Sequence, residues 1–446
     1  MNKKIMLAVI PLLLSSIGCS SEGSRREADG QVQEDKPAVQ KKADEPIELI
    51  FHSNNRGTVE QFDSKYGNDL RKKFPDYIIK YIPDAKGTTF PELMVEKQRI
   101  DIVYNVLESA LQPLIEYNLQ YDMSDLAKKH GINLAAFEPT VMDTIRTASN
   151  GKLFMLPTEN QVQVMFYNKG IFNKFGVPYP KDGMTWDEIN EIAKKLTRNE
   201  GGKQYLGFAA ASPSVAFRTN QFSEPYLDPK TGKSTFERES WKKQIQMLFL
   251  NPASNPGYTE RVKELKRMPN RLDFTDTQEL AMYTSHYGLP LALPKDLEKI
   301  DWDLVSLPTF KELPGIGSQT LPVSIGITSM AKNKDEAMEV IKYLTSKEYQ
   351  LEISKKGVMS SLKDETVQKA FAQESANKGK NWQAVYYNKM APIALKSVYE
   401  SKIESLYSEA VMDIVNGKTD LNSALREAAE KADKAVAEEK QIRGKQ

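Results

Sequence analysis

The groups from which an enzyme is usually built are scarce in this chain. Its 446 residues include three histidines, His52, His130 and His286, and one cysteine, Cys19. A lone cysteine excludes an intramolecular disulfide and a thiolate zinc cage. Three scattered histidines argue against a multi-histidine metal site. No Gly-x-Ser-x-Gly elbow, His-Glu-x-x-His pair or Gly-x-x-x-x-Gly-Lys loop occurs. Gly315-Ile316-Gly317-Ser318 sits in a Pro/Gly connection and is too weak a signal for a phosphate cradle. A retaining glycosidase needs two carboxylates about 5–5.5 Å apart, and 60 Asp and Glu residues do not exclude such a pair by number. Uncharged hydrogen-bonding chemistry gathers at strand ends. Asn54 and Asn55 follow the first strand, and Tyr104 and Asn105 close a later one. Asn54 and Asn55 also suit a plain turn, and Tyr104 a core, so both readings stand.

The elements that must position these groups follow from composition and periodicity. Hydrophobic residues make up 40% and charged residues 27%, which rules out wholesale disorder. Lys and Arg number 61 against 60 acids, without the basic excess of a nucleic-acid binder. Residues 1–18 carry Lys3 and Lys4 before an apolar run from Ile5 to Leu14, too short to span a bilayer and built as a secretory signal. Ser16-Ile17-Gly18-Cys19 resembles a bacterial lipobox, with Ser where Leu is usual three positions before the cysteine. Lipidation of Cys19 by a diacylglycerol is therefore expected. Residues 19–45 then read as a lipid-anchored flexible tether: 20–45 holds no aromatic, Leu or Ile and cannot offset its ordering entropy. As a coil it would span roughly 28 Å.

Beyond the tether, strands and helices alternate. PIELIFH (46–52) alternates apolar and polar as a strand, Val59, Phe62, Tyr66 and Leu70 recur at helical spacing, and IDIVYNV (100–106) is a buried strand. This succession over 46–150 implies a mainly parallel sheet covered by helices. Leu153 to Asn168 is extended and interrupted by Pro157, as if leaving one lobe and entering another. Thr185-Trp186-Asp187-Glu188 is a capping box, with Trp186 packing at the helix start. A helix is expected over 241–250, a helix end near Leu280–Tyr283, strands at 303–307 and 323–329, and a helix capped by Asn333.

Three stretches carry a family resemblance. Leu156-Pro157, Phe166-Tyr167-Asn168-Lys169, Phe172, Gly176 and Thr185-Trp186-Asp187-Glu188 come in the order and spacing of family 1 extracellular solute-binding proteins of ABC importers. Residues 302–357 match in Leu307-Pro308, a Gly/Pro loop, a new strand and KNKDEAMEVIKYLTS. The tail YSEAVMDIVNGKTDLNSALREAAEKADKAV resembles the closing helices of that family.

The resemblance implies an α/β chain with a two-lobe periplasmic-binding-protein-like fold, a hinge of crossing strands and a ligand cleft between lobes. Lobe 1 is expected from 46–157 plus 326–376, lobe 2 from 163–319 plus 383–446, and the hinge from 158–162, 320–325 and 377–382. The implied function is capture of an extracellular solute, a carbohydrate or oligosaccharide, and its delivery to the transmembrane subunits of an ABC permease. The protein is then no enzyme, needs no cofactor or metal, binds no nucleic acid and acts as a monomer. It is held by its lipid on the outer face of the cell membrane, or on the periplasmic side where an outer membrane exists. A lipid-anchored surface adhesin or assembly factor, or a glycan-acting enzyme on the same scaffold, are the alternatives. Sugars need flat aromatic faces and hydrogen bonds to side-chain amides or carboxylates. On that basis the expected ligand-binding residues are Asn54, Asn55, Tyr104, Asn105, Gln161, Tyr283, His286 and Trp382. Gln161 falls where relatives place a polar contact. Tyr283 and His286 fall where many relatives carry a Gly-x-Trp motif that this chain lacks.

Overall fold

The computed structural model describes residues 46–394 and 396–443. The signal segment, Cys19 and the tether lie outside the described residues. Twelve strands occur among the described ones: β1 (Glu48–Ser53), β2 (Ile78–Pro83), β3 (Ile102–Val106), β4 (Leu156–Glu159), β5 (Gln163–Asn168), β6 (Arg198–Glu200), β7 (Lys203–Tyr205), β8 (Met282–His286), β9 (Trp302–Ser306), β10 (Ile316–Gln319), β11 (Val323–Ile327) and β12 (Lys389–Ala391).

Two sheets organise the molecule. The first has the order β2-β1-β3-β11-β4. Its β1 pairs in parallel with β2 and β3, as the β-α-β pattern requires. Strand β11 then returns antiparallel between β3 and β4. Its Gly326 is obligatory there: a Cβ would stand 2.4 Å from the Phe154 carbonyl oxygen. The second sheet, β8-β5-β9, is antiparallel throughout. Each sheet has its own hydrophobic core. One gathers Phe51, Tyr104, Leu111, Leu156, Ile325 and Ile341. The other gathers Phe166, Trp186, Phe217, Trp241, Trp302 and Tyr407.

The chain passes from the first sheet to the second between β4 and β5, over Asn160–Val162, and re-enters the first over Thr320–Pro322, between β11 and β10, which pairs with β12 in a separate two-stranded sheet. These passages are cross-linked: the Gln161 N–H donates to Thr320 Oγ1 at 2.9 Å, and the Leu321 N–H to the Gln161 carbonyl at 2.9 Å. A further change of core lies in the stretch before residue 377. Leu362 packs in the first core, whereas Met359, Phe371 and Trp382 pack in the second. Phe371 meets Trp382 edge-on at 5.7 Å, so both sit in the second core.

Local sequence signals account for most helix boundaries. Glu188 donates its N–H to Thr185 Oγ1 and accepts the Thr185 N–H at 2.7 Å, which starts the helix Trp186–Leu196. Trp186 is buried and gives its indole N–H to Gln221 Oε1 at 2.8 Å. Three local readings are corrected. Met282–Tyr283 open strand β8 rather than close a helix, because they pair with Tyr167 and Phe166. The helix over 241–250 starts at Glu239 and widens to a π-helix at Gln246–Leu250. Asn333 precedes the helix Lys334–Leu344 but does not cap it: its amide donates to the Glu48 carbonyl at 3.3 Å.

Candidate ligand-binding site

The carboxyl ends of β1 and β3 lie side by side in the first sheet, so the loops that follow them meet. Asn105 gives its amide N–H to Asn54 Oδ1 at 2.7 Å, and Asn54 gives its own to the Ser109 carbonyl at 2.9 Å. Two of the expected residues are thus joined in one amide relay. Asn55 is exposed and accepts the Gly57 N–H at 2.9 Å, which is the turn reading. Gln161 is half-buried, and its side-chain amide makes no hydrogen bond among the described residues.

His286 closes β8 opposite Gln163. Its Nδ1 is buried without a partner. Burial, helped by the neighbouring Arg218 cation, pulls its pKa down to about 4. The ring is therefore neutral near pH 7 and offers one donor and one acceptor.

The three aromatic candidates are packed by neighbouring side chains. Tyr104, Tyr283 and Trp382 are 4%, 8% and 5% exposed. Tyr104 meets Tyr66 edge-on at 5.2 Å and lies near Phe62 and Tyr81. Tyr283 packs by Phe274. Trp382 abuts Trp302 and Phe371 and gives its indole N–H to the Asn377 carbonyl at 2.8 Å. All four tryptophans are buried. Tyr287, next to His286, is also buried and bridges the first passage: its OH donates to the Asn160 carbonyl at 3.3 Å and accepts the Met359 N–H at 2.7 Å.

Two adjoining cavities open beside the helix Leu107–Glu116, which follows β3 directly. The larger, about 500 Å³, lies between this helix, the helix Pro139–Ala148 and the residues Ile393, Ala394, Lys396, Ser397 and Val398. The smaller, about 220 Å³, is lined by Glu108, Ser109, Arg218, Lys396, Glu400 and Glu404, among others. None of the eight expected residues lines either cavity, although Asn54 bonds to Ser109 in the wall of the smaller one.

These cavity-lining charges were missed at the level of sequence. Glu108 obeys the same strand-end rule as Asn105 and could have been found by it. Lys396, Glu400 and Glu404 recur every four residues, the spacing of one helical face. Arg218 ends the short helix Pro213–Arg218, for which no comparable signal exists. The wall of the smaller cavity draws on both halves: Glu108 stands on the helix whose Leu107 and Leu111 pack in the first core, and Arg218 and Glu404 stand on helices whose Phe217 and Ile403 pack in the second. The smaller cavity therefore sits at the junction of the two halves.

Burial unsettles the charges here. It pushes Lys396 down, although Glu400 opposes the shift, and it pushes Glu400 and Glu404 up. Lys396 Nζ donates to the Arg218 carbonyl at 3.0 Å, and Glu404 accepts the Tyr226 OH at 3.2 Å. No group of three or more His, Cys, Asp or Glu able to hold a metal occurs among the described residues.

Comparison with known proteins gives a consistent result. A family model described as bacterial extracellular solute-binding protein matches residues 60–351. A sugar transporter from Rhizobium etli, solved in an open conformation, superposes with a TM-score of 0.69 at 19% identity, covering 86% of this chain and 99% of its own. An ABC substrate-binding protein of Listeria monocytogenes, in complex with cycloalternan, gives 0.64 at 15% identity, covering 88% and 100%. The sugar-binding protein MalE from Xanthomonas citri gives 0.62 at 17% identity, covering 90% and 100%.

Proposed function

The chain belongs to the bacterial extracellular solute-binding proteins, with the two-lobe α/β fold of the sugar-binding ones, and from that premise we propose that it captures a carbohydrate between its halves for import. The family is one of binding proteins rather than enzymes. The observation that carries the reading is the junction itself. Two separately cored sheets are joined through short cross-linked passages, and a polar-lined cavity lies where they face each other. Such halves rotate about their passages. A ligand shifts the balance toward closure only if it touches both walls there.

The lobes in this reading follow the 46–157 plus 326–376 and 163–319 plus 383–446 division. Asn54 and Asn105 join this reading through the Asn54 bond to Ser109 in the wall of the smaller cavity, and Gln161 and His286 are kept as further ligand contacts. Support for a carbohydrate comes from the neighbours: the Listeria protein holds cycloalternan and the Xanthomonas protein is a sugar binder. The closed form docks, as a monomer, on the transmembrane subunits of an ABC permease.

Titration calorimetry with a panel of oligosaccharides tests this. Saturable heat with no product on chromatography is expected, together with a smaller radius of gyration in X-ray scattering. Turnover of a saccharide would replace the reading with an enzyme. Binding without compaction would remove the closure.

Anchoring at Cys19 belongs to the same proposal. A diacylglycerol there would hold the mature chain at the outer face of the membrane; one acyl chain binds membranes only marginally, two bind stably. In detergent phase separation the natural chain is expected in the detergent phase and Cys19→Ser in the aqueous phase. Equal partitioning of the two would remove the lipid from the account.

A further inference from the structure

We propose that the ligand of the junction cavity is an electrically neutral, hydroxyl-rich saccharide, and that Glu108 and Arg218 turn away its uronate and amino-sugar counterparts. This rests on the carbohydrate reading above and narrows it.

Glu108 stands in the first turn of the helix Leu107–Glu116, on the wall of the first core. Arg218 ends the helix Pro213–Arg218, on the wall of the second. Arg218 Nη2 and Glu108 Oε2 lie 3.9 Å apart. That is an ion pair without a hydrogen bond. Both carboxylate oxygens of Glu108 are buried without a hydrogen-bond partner. Among the described residues the Arg218 guanidinium makes no hydrogen bond either. Glu400 adds a third unpartnered buried oxygen, Oε2, while its Oε1 accepts the Ser397 N–H at 2.9 Å.

The cavity therefore presents unspent acceptors and unspent donors together. A guanidinium has five N–H groups and no acceptor, and a carboxylate only accepts. A hydroxyl serves both, donating to Glu108 or Glu400 while accepting from Arg218. A ligand carboxylate would suit Arg218 but would sit against Glu108, Glu400 and Glu404. A ligand ammonium would suit those acids but would sit against Arg218 and Lys396. Mixed charge in one confined space thus disfavours either ion and admits the neutral molecule. The walls carry no tryptophan to compensate, since all four are in the cores.

The test begins with the neutral oligosaccharide that the wild-type chain binds best by titration calorimetry. Its uronate and 2-amino-2-deoxy analogues of the same linkage and length are then titrated. Each is expected to bind ~100-fold more weakly, the ordinary penalty of juxtaposed like charges. Glu108→Gln should bring the uronate ~10-fold closer to the neutral sugar, and Arg218→Gln should do the same for the amino sugar. Ratios within one variant are read, so a modest loss of stability does not blur them. Analogues within about threefold of the neutral sugar on the wild-type chain, or both ratios unchanged in the variants, would overturn the inference. A charged saccharide that binds where no neutral one does would overturn it and leave the carbohydrate reading standing. Failure of every saccharide to bind would overturn both.

Discussion

Asp101→Ala is expected to destabilise the folded chain by about 3–5 kcal/mol, because it strips partners from groups that water cannot reach. The Asp101 side chain is fully buried just before β3. Its Oδ2 accepts the Ile50 N–H at 2.8 Å and Arg99 Nε–H at 3.2 Å, and its Oδ1 accepts the Lys332 N–H at 3.3 Å. One carboxylate thereby ties β1, β3 and the segment after β11 together at one end of the sheet. Burial holds its pKa above the usual carboxylate value even with Arg99 beside it. The ionised group is costly to keep, but deleting it leaves two backbone donors unsatisfied. Arg99 keeps Glu48 at 2.6 Å, so the loss falls chiefly on the backbone. Urea unfolding should show a lower midpoint with an unchanged slope. Asp101 sits at the opposite end of β3 from Glu108, so saccharide affinity should not change. A midpoint equal to that of the natural chain would remove the tie from the account.

Much of the framework is local and therefore legible in the sequence. The Thr185–Glu188 box and the apolar stripe behind it define a helix without outside help. Asn168 likewise ends β5 and caps the next helix, its Oδ1 accepting the Ile171 N–H at 3.2 Å. What periodicity does not reveal is pairing over long distances. Strand β11 inserts between β3 and β4 from about two hundred residues away, and no pattern within 323–327 names its neighbours. The aromatic residues are hard to read for a related reason. A tyrosine at a strand end looks the same whether it faces a sugar or a core, and for Tyr104 the choice is made by Phe62, Tyr66 and Tyr81 closing around it. The amides fared differently. Asn54 and Asn105 were brought together because parallel neighbours align their carboxyl ends, a rule that needs only the order of strands. Glu108 lay within reach of that rule. Arg218 did not, since its partner is more than a hundred residues upstream and its own helix is a single short turn and a half.

Glu159→Ala should cost about 2–3 kcal/mol and loosen the first passage between the halves. Glu159 ends β4 and is 8% exposed. Its Oε1 takes the Lys65 ammonium at 2.8 Å and the Tyr66 OH at 3.1 Å. Lys65 is about one-third exposed, so solvent screens that pair and its share is about 1 kcal/mol or less. The remainder comes from the buried Tyr66 hydroxyl, which would keep only Thr158 Oγ1 at 3.1 Å. The neighbouring residues show what the carboxylate restrains. Gln350 Nε2 donates to the Thr158 carbonyl at 2.9 Å, and Asn160 Nδ2 donates to the Ser360 carbonyl at 3.1 Å. Glu159 is the point at which this strand end is pinned to the first core before the chain leaves for the second. Its removal should therefore speed amide hydrogen exchange at 159–163 beyond what the global loss of stability explains. Glu159→Gln keeps an acceptor for Tyr66 and should retain most of the stability, whereas Lys65→Met should cost little by itself. Exchange at 159–163 that rises no more than in the distant core would reduce Glu159 to an ordinary buried acid and leave the passage held by Asn160 and Tyr287 instead.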